Sequence, residues 1–350
     1  MPAVLVVNAG STSLKLHLVG EDESVQTVER LGAVRESEVG AVGHRVVHGG
    51  HLVEPTSIDD GVRASIEQLA EIAPLHNAPA LAAIDEARKL LPGTPHVAVF
   101  DTAFHTGMPA EAATYAVPRK WREDWGIRRY GFHGLSVQWS AERATELLGA
   151  EKAQRLVVCH LGGGCSITAV RDGRSVDTTM GFTPLEGVPM ATRSGSVDPG
   201  ALLYVLRAHG LSPEDVDHAL NSESGLAGLA GGRDLRELEA AAPDDEDARL
   251  ALRVYAYRIA KEVAGMGAAL GGLDAIVFTA GVGEGSPGIR ATVCERVSFL
   301  GVELDPELNE RSVLDADVAA PDSDVRVLAI AAREELIAAR AVRSLLERGT

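Results

Sequence analysis

The sequence predicts an α/β protein built from two similar halves, and three observations carry that prediction. Residues 155–174, RLVVCHLGGGCSITAVRDGR, read as strand, glycine turn, strand. An apolar run (Leu156–Cys159) leads into Gly162, Gly163 and Gly164, and a β-prone run (Ser166–Val170) leaves toward a polar turn at Asp172–Gly173. Residues 4–19, VLVVNAGSTSLKLHLV, repeat the plan around a small-residue turn at Asn8–Ser13. Apolar strand-like runs then alternate with helical patterns through a chain of 350 residues, a length that suggests two domains.

Glycine lacks Cβ, so backbone at such a turn can approach a ligand closely, and successive N–H groups there form a concavity suited to phosphate. Two phosphate-binding hairpins facing each other imply a nucleotide held in a cleft between two domains. Motif shape alone leaves open two ordinary hairpins, because glycine turns are common.

In chain order, the first hairpin leads to AVGHRVVHGGHLVEP (41–55), where a β-prone run ends at Gly49–Gly50. Helical pattern covers Val62–Leu69 and Pro79–Leu91, with Pro79 suited to the first helical position. HVAVF (96–100) is a short strand that delivers Asp101, Thr102 and His105 at its C-terminal end, where ligands gather in open α/β sheets. An aromatic, basic loop runs from Trp121 to Gly134, and a helix over Ser136–Leu148 closes the first half. The second half opens with its hairpin. It continues through a Gly- and Pro-rich loop (181–200) carrying Arg193, then helices near 201–209 and 213–220 and a glycine-rich start to the segment 224–238. Asp247–Leu270 is the longest helical pattern, with Leu250, Val254, Ile259 and Val263 on apolar positions and Gly271–Gly272 as its stop. AIVFT (275–279) is a buried-type strand that runs into the glycine turn AGVGEG (280–285). A helix near 288–297, a strand over 325–330 and an amphipathic helix over 334–348 complete the chain.

Composition narrows the function. Hydrophobic content of 45% and charged content of 24% fit a soluble globular protein. A net charge of −17 argues against nucleic acid or an anionic membrane as partner, since both need a basic footprint. Cys159, Cys165 and Cys294 have no metal-like spacing and fit a reduced cytoplasmic chain. Neither a signal peptide nor an uncharged run near the roughly 20 residues of a membrane span is evident.

The chemistry-bearing motifs have competing readings. Gly283, Gly285 and Gly288 have GxGxxG spacing, with Glu303 some twenty residues on, so a dinucleotide-dependent dehydrogenase is a live alternative. The motif is late in the chain, and a strand–turn–helix that holds adenosine explains it as well. A P-loop, a GxSxG elbow and HExxH are all missing from the sequence. His44, His48 and His51 tempt a metal reading, but on a strand and turn they read as polar turn histidines. Arg45 and Arg193 are the best candidates for oxyanion clamps, against the alternative of solvated surface arginines. Asp101 reads as a metal-binding or positioning carboxylate, or as a cap. His133 is a loop histidine followed by glycine.

Ten segments in order resemble the acetate kinase family, within the group of sugar kinases, Hsp70-type ATPases and actin. They are NAGSTSLK (8–15), GHRVVHGG (43–50), PLHNAP (74–79), VFDTAFH (99–105), RYGFHG (129–134), HLGGGCS (160–166), TPLEG (183–187), TRSG (192–195), FTAGVGEG (278–285) and REELIAAR (333–340). They span nearly the whole chain, and their succession is specific where any one is modest.

The resemblance implies a duplicated actin/sugar-kinase-like (ribonuclease H-like) fold with mixed central sheets. Residues 1–149 plus 336–350 would form an N-terminal lobe, and 150–335 a C-terminal lobe with the nucleotide site and a homodimer surface. It implies phosphoryl transfer between ATP and acetate, giving ADP and acetyl phosphate, with Mg²⁺ (or Mn²⁺). Asn8 would touch the metal and phosphate site, Lys15 the nucleotide phosphates, and Glu334 would complete metal binding through water. Arg45 and Arg193 would hold the acetate carboxylate and the transferring phosphoryl group. Asp101 would be the catalytic carboxylate, and His133 would donate to the phosphoryl oxygens. His160, Leu161, Gly162, Gly163 and Gly164, then Asp234, Leu235 and Arg236, then Gly281, Val282, Gly283, Glu284 and Gly285 would line the nucleotide site. Val47, Leu75, Phe132 and Pro184 would wall a small apolar pocket for the methyl group.

This chemistry matches the residues. Phosphoryl transfer needs in-line positioning and neutralised oxygens rather than covalent work, and a carboxylate nucleophile is already ionised at neutral pH. Asp101 is therefore a positioning or metal-shell group as readily as a base. Departures from the family pattern are Gly163 and Gly285 in place of Asn, His51 in place of Glu, Ser196 in place of Asp, Ala331–Arg333 in place of Pro-Thr-Asn, and a shortened Asp234 loop. Most lie on the nucleotide and metal side, which leaves the phosphoryl donor open alongside the acyl choice of acetate, propionate or butyrate. A non-enzymic nucleotide switch is the reading from another class. Such a protein has no call for paired arginines at a carboxylate pocket, and a chaperone's peptide-binding domain has no room in this chain.

Overall fold

The computed structural model describes residues 3–10, 14–71 and 74–348, with the side chains of 71 and 74–76 excepted. Two six-stranded mixed sheets organise the chain. The first contains β1 (Ala3–Ala9), β2 (Leu14–Val19), β3 (Val25–Val28), β4 (Val39–Val46), β5 (Thr56–Ser57) and β6 (His96–Phe100) in the order β3-β2-β1-β4-β6-β5. The hairpin β1–β2 is antiparallel, β1, β4 and β6 run parallel, and β5 is an antiparallel edge.

The second sheet contains β7 (Arg155–Leu161), β8 (Cys165–Arg171), β9 (Arg174–Thr178), β10 (Ala275–Thr279), β11 (Ala316–Asp317) and β12 (Arg326–Ala329). Its order read from the hairpin edge, β9-β8-β7-β10-β12-β11, repeats the first sheet strand for strand, down to the antiparallel edge strand. The duplication expected from the two echoing hairpins extends through both sheets.

Contacts divide the chain into two compact units. One comprises 1–106, 130–139 and 333–350, and the other 107–129 and 140–332. Residues 107–129 and 140–149, read from sequence as part of the first lobe, pack with the second unit. Their side chains bond there: Arg129 reaches Thr179 and Glu186, and Arg143 reaches Asp315.

In the first unit alternation does the folding work. Leu5 and Val7 of β1, Leu16 of β2 and Val42 of β4 join Ala83, Ala87 and Leu91 in one core cluster, so the helix Pro74–Leu90 covers that face. That helix begins five residues before the expected start. Pro74 takes its first position and Pro79 lies inside it. The other face receives the last helix, Glu334–Arg348, through Leu336, Ile337, Ala338, Ala339 and Val342. Gly43 permits this approach, since a Cβ there would lie 2.8 Å from a methyl of Val342.

In the second unit the long helix is Glu246–Leu270. Asp245 caps it by accepting from the N–H groups of Asp247 and Ala248, and Gly271 ends it in the left-handed conformation at φ 68°. Ile259 and Val263 are buried as the periodicity predicts, but Leu250 is 42% exposed. The buried stripe near it runs instead through Ala248, Ala251 and Tyr255. The segment 280–285, expected as a glycine turn, is a short helix directly after β10. Among the described residues, no helix is long and apolar enough to cross a membrane.

Candidate active site

In the first unit, strand register brings four polar residues together. Asn8 is the penultimate residue of β1, paired across the hairpin with Lys15 and on the parallel side with Arg45. Arg45 pairs in turn with Val99 on β6, and Asp101 follows two residues later, on the same face. Arg45 Nε donates to Asp101 Oδ1 at 3.0 Å and Nη2 to Oδ2 at 2.5 Å. Arg45 Nη1 donates to Asn8 Oδ1 at 2.9 Å, and Asn8 Nδ2 donates to Glu334 Oε2 at 3.0 Å. Glu334 opens the last helix, where its charge also suits the positive helix end, and it lies 3.7 Å from Arg45 Nε.

Asp101 is fully buried. Burial pushes its carboxyl above the usual range, and the Glu334 charge adds to this, while Arg45 pulls the other way. Burial opposes the charge on Arg45 too, but Asp101 and Glu334 outweigh it and bind its proton more firmly. The arginine is thus a fixed cation between two carboxylates.

His133 has the left-handed backbone at φ 60°, a conformation that a non-glycine residue adopts only when its surroundings hold it there. Three bonds do so. Its N–H donates to the Asp101 carboxylate, Gly134 N–H donates to Asp101 O at 3.1 Å, and Val137 N–H donates to His133 O at 2.9 Å. Gly134 is obligatory, because a Cβ there would collide with the Asp101 carbonyl. Val47 and Phe132, expected to wall the acyl pocket, are buried, and Phe132 packs edge-on against His48 at 5.6 Å. Leu75 lies in a helix, with its side chain outside the described residues.

The three histidines, expected as polar turn residues, have different surroundings. His44 and His48 are fully buried rather than polar turn residues. His96 Nε2 faces Leu91 O at 3.1 Å and so carries the proton. His96 Nδ1 then accepts from His44 Nε2 at 3.0 Å. His48 Nδ1 accepts from Gly50 N–H, and His51 is exposed. Among the described residues no group of three or more His, Cys, Asp or Glu is placed to hold a metal ion.

In the second unit the β7–β8 turn carries Gly162, Gly163 and Gly164, closed by Gly162 N–H donating to Gly164 O at 3.0 Å. A Cβ at Gly163 would meet nothing within 4 Å, and one at Gly162 nothing nearer than 3.5 Å. The chain's own packing therefore does not require glycine there, which leaves room for a ligand to approach. Gly281 and Gly285 are equally open, whereas a Cβ at Gly283 would lie 3.2 Å from the Phe278 carbonyl carbon and 3.6 Å from the Cys159 carbonyl oxygen, so glycine there lets the short helix pack. Ala280 before them has φ 65°, a second non-glycine residue in the left-handed region at a strand end. His160 and Leu161 are buried at the end of β7, Val282 is half-buried, and the Glu284 carboxylate accepts from Ala332 N–H at 2.9 Å.

Asp234 caps the helix Leu235–Ala241 and pairs with exposed Arg236 at 3.0 Å, while Leu235 points into the core. Arg193 is half-buried, and the loss of water around it lowers its pKa. It donates to Pro184 O at 3.2 Å and contacts Met190 Sδ at 3.8 Å. Sequence reasoning missed two polar groups, the His44–His96 pair in the first unit and the Tyr115–Arg129–Glu186 cluster in the second. Arg129 and Glu186 stand inside the quoted segments RYGFHG and TPLEG, but nothing in their spacing shows that they meet.

Comparison with known proteins makes the chain a phosphotransferase with a carboxyl group as acceptor. Residues 24–340 match the model of the acetokinase family. An acetate kinase of Gloeobacter violaceus is 52% identical over 309 residues, covering 87% of this chain and 76% of that one. An acetate kinase of Thermotoga maritima is 46% identical over 328 residues, covering 91% and 81%. Among solved structures, an acetate kinase from Porphyromonas gingivalis superposes with a TM-score of 0.90 at 35% identity, covering 99% of this chain and all of that one. A propionate kinase from Francisella tularensis also gives 0.90 at 35% identity, covering 97% and 99%. The chain belongs to the acetokinase family.

Proposed function

We propose that the protein is an acetate kinase that moves the γ-phosphoryl group of ATP reversibly to acetate, giving acetyl phosphate and ADP. The observation that carries this reading is Arg45, a guanidinium locked by Asp101 and Asn8 at the ends of three parallel strands. Acetate is ionised at neutral pH, so one carboxylate oxygen attacks phosphorus in line as the bond to the ADP oxygen breaks, with no proton to remove. Arg45 and Arg193 neutralise the acetate carboxylate and the equatorial phosphoryl oxygens, and His133 donates to those oxygens. Asp101 sets the orientation of Arg45 rather than acting as a base. Val47, Leu75, Phe132 and Pro184 wall the methyl group. Lys15, His160–Gly164, Asp234–Arg236 and Gly281–Gly285 take the nucleotide.

The donors around Asn8 fit Mg²⁺. Asn8 Oδ1 and the Glu334 and Asp101 carboxylates are hard oxygens, and two carboxylates exceed the single charge of Arg45. Asn8 and Glu334 would hold the ion, which would supply positive charge against the nucleotide phosphates. Mn²⁺ accepts the same donors.

A homodimer formed through the second unit belongs to this reading. Exposed Leu203, Tyr204, Tyr257 and Phe299 in that unit support it, and light scattering at micromolar concentration tests it. A cytoplasmic location is supported by three buried free cysteines.

The test is a hydroxamate assay for acyl phosphate with ATP, GTP and pyrophosphate against acetate, propionate and butyrate. Acetyl hydroxamate formed with ATP and Mg²⁺ is expected, and no product from any pair would sink the reading. Propionate is the second reading, favoured by the propionate kinase superposition. One methylene in an apolar pocket changes binding by only about 1–3 kcal/mol, so the same assay ranks the acids.

A further inference from the structure

A cluster in the second unit holds the loop on which both Pro184 and Arg193 depend. Arg129 Nη1 donates to the carbonyls of Thr179 at 2.9 Å and Met180 at 3.2 Å, and Nη2 donates to Glu186 Oε1 at 3.0 Å. The Tyr115 hydroxyl donates to Glu186 Oε2 and accepts from Phe182 N–H at 3.0 Å. The Arg129 guanidinium lies over the Tyr115 ring, 5.4 Å from its centroid. Gly181 passes through the middle, where a Cβ would collide with both the Glu186 carboxylate and the Tyr115 hydroxyl.

Thr179 N–H still donates to Ile167 O of β8 at 3.0 Å, but the Thr179 and Met180 carbonyls and the Phe182 N–H take their partners from side chains. Burial and Glu186 raise the Tyr115 pKa, so the phenol keeps its proton and remains a donor. Pro184 lies between the tied residues Phe182 and Glu186. Its carbonyl accepts from Arg193 Nη1 at 3.2 Å. The far side of the loop is equally fixed: Met190 N–H donates to Arg193 O at 3.0 Å, and Ser196 N–H donates to Gly187 O at 2.8 Å.

We propose that Tyr115, Arg129 and Glu186 are positioning residues that fix the Pro184 wall and the Arg193 guanidinium together, and so set the acyl-chain length accepted. This rests on the reading above, in which Pro184 walls the acyl pocket and Arg193 clamps the reacting oxygens. A loop tied at 179–182 and again at 186 cannot yield by the width of a methylene. Removing the Tyr115 hydroxyl takes away its bonds to the Phe182 N–H and to Glu186 Oε2, and lets the wall between them move.

The test compares wild type with Tyr115→Phe and Glu186→Gln, measuring kcat and KM for acetate, propionate and butyrate, KM for ATP, and Tm. Each variant is expected to raise the propionate-to-acetate ratio of kcat/KM by about tenfold, the scale on which one methylene is discriminated. The change should come through acid KM, with KM for ATP held within about twofold and Tm within about 5 °C of wild type. Should Tyr115→Phe fail to fold, Glu186→Gln, which keeps the shape of the carboxylate, decides alone. An unchanged acid ratio in folded variants of an active enzyme overturns the inference, as does KM for ATP rising in step with KM for acetate. A wild type that forms no acyl phosphate removes the underlying reading and this inference with it.

Discussion

Arg45 grips Asp101 side-on, with Nε and Nη2 each on its own carboxylate oxygen and with 12% of the arginine side chain exposed. Fork-to-fork geometry of this kind fixes direction as well as charge. Lysine cannot reproduce it, so Arg45→Lys is expected to lower kcat by about 100- to 1,000-fold, the scale of losing a preorganised oxyanion donor. Asp101→Asn keeps the shape but not the charge, and a positioning role predicts a smaller loss than Arg45→Ala. Steady-state acyl-hydroxamate kinetics check the order, and a larger loss in Asp101→Asn would point to a base.

Arg193 should separate activity from stability. Its bonds to a main-chain carbonyl and its contact with a thioether help to place it, and burial already disfavours its charge. Arg193→Ala is expected to cut kcat about 100-fold or more while Tm moves by no more than about 4 °C. Calorimetry beside the hydroxamate assay checks this, and near wild-type turnover would refute the assignment.

Divalent cation should act at Asn8 and Glu334. Glu334→Gln leaves the contact with Asn8 possible but removes a charge, so it is expected to raise the Mg²⁺ needed for half-maximal rate by about tenfold. Mn²⁺ titration of the ATP complex followed by electron paramagnetic resonance should show the same weakening without relying on turnover. Chelation should stop turnover in both proteins.

Acid should destabilise the first unit through its buried histidines. Burial, with some help from His96, pushes His44 down from 6.5 to about 3, and burial pushes His105 down from 6.5 to about 4. Unfolding restores the ordinary value, so below pH 6.5 the unfolded chain binds protons that the folded chain refuses. The stability held by these neutral rings is complete above pH 6.5 and is lost as pH falls toward 4. The slope is about 1.4 kcal/mol per pH unit for each ring. Urea midpoints at pH 7, 6 and 5 should fall in sequence, ahead of most carboxylate titration, and His44→Gln should flatten the fall. A level midpoint over that range would contradict the assignment.

Strong local signals made much of this protein legible in advance. The two hairpins declare themselves through β-prone runs on either side of small-residue turns, and strand register then places Asn8, Lys15 and Arg45 side by side. Asp101 was readable because a short apolar strand ends at it. The errors arose where a residue's surroundings come from distant chain. His44 and His48 read as turn residues because glycines stand beside them, yet inside the unit His44 Nε2 meets His96 and Asn77 holds the His48 main chain. Leu250 looked like core because helical spacing cannot say which of two apolar stripes meets the sheet.

Sequence alone determined the duplicated α/β plan, the family and the residue types at the site, since periodicity, turn chemistry and ordered motifs are local properties of a chain. Tertiary structure decided which carboxylates meet Arg45, that residues 107–129 pack with the second unit, and that Glu186 joins Tyr115 to Arg129. Those pairings span tens to hundreds of residues, and burial turns them into fixed charges and fixed hydrogen bonds. No local pattern encodes them, because each partner alone is an ordinary polar side chain until packing excludes the water between them.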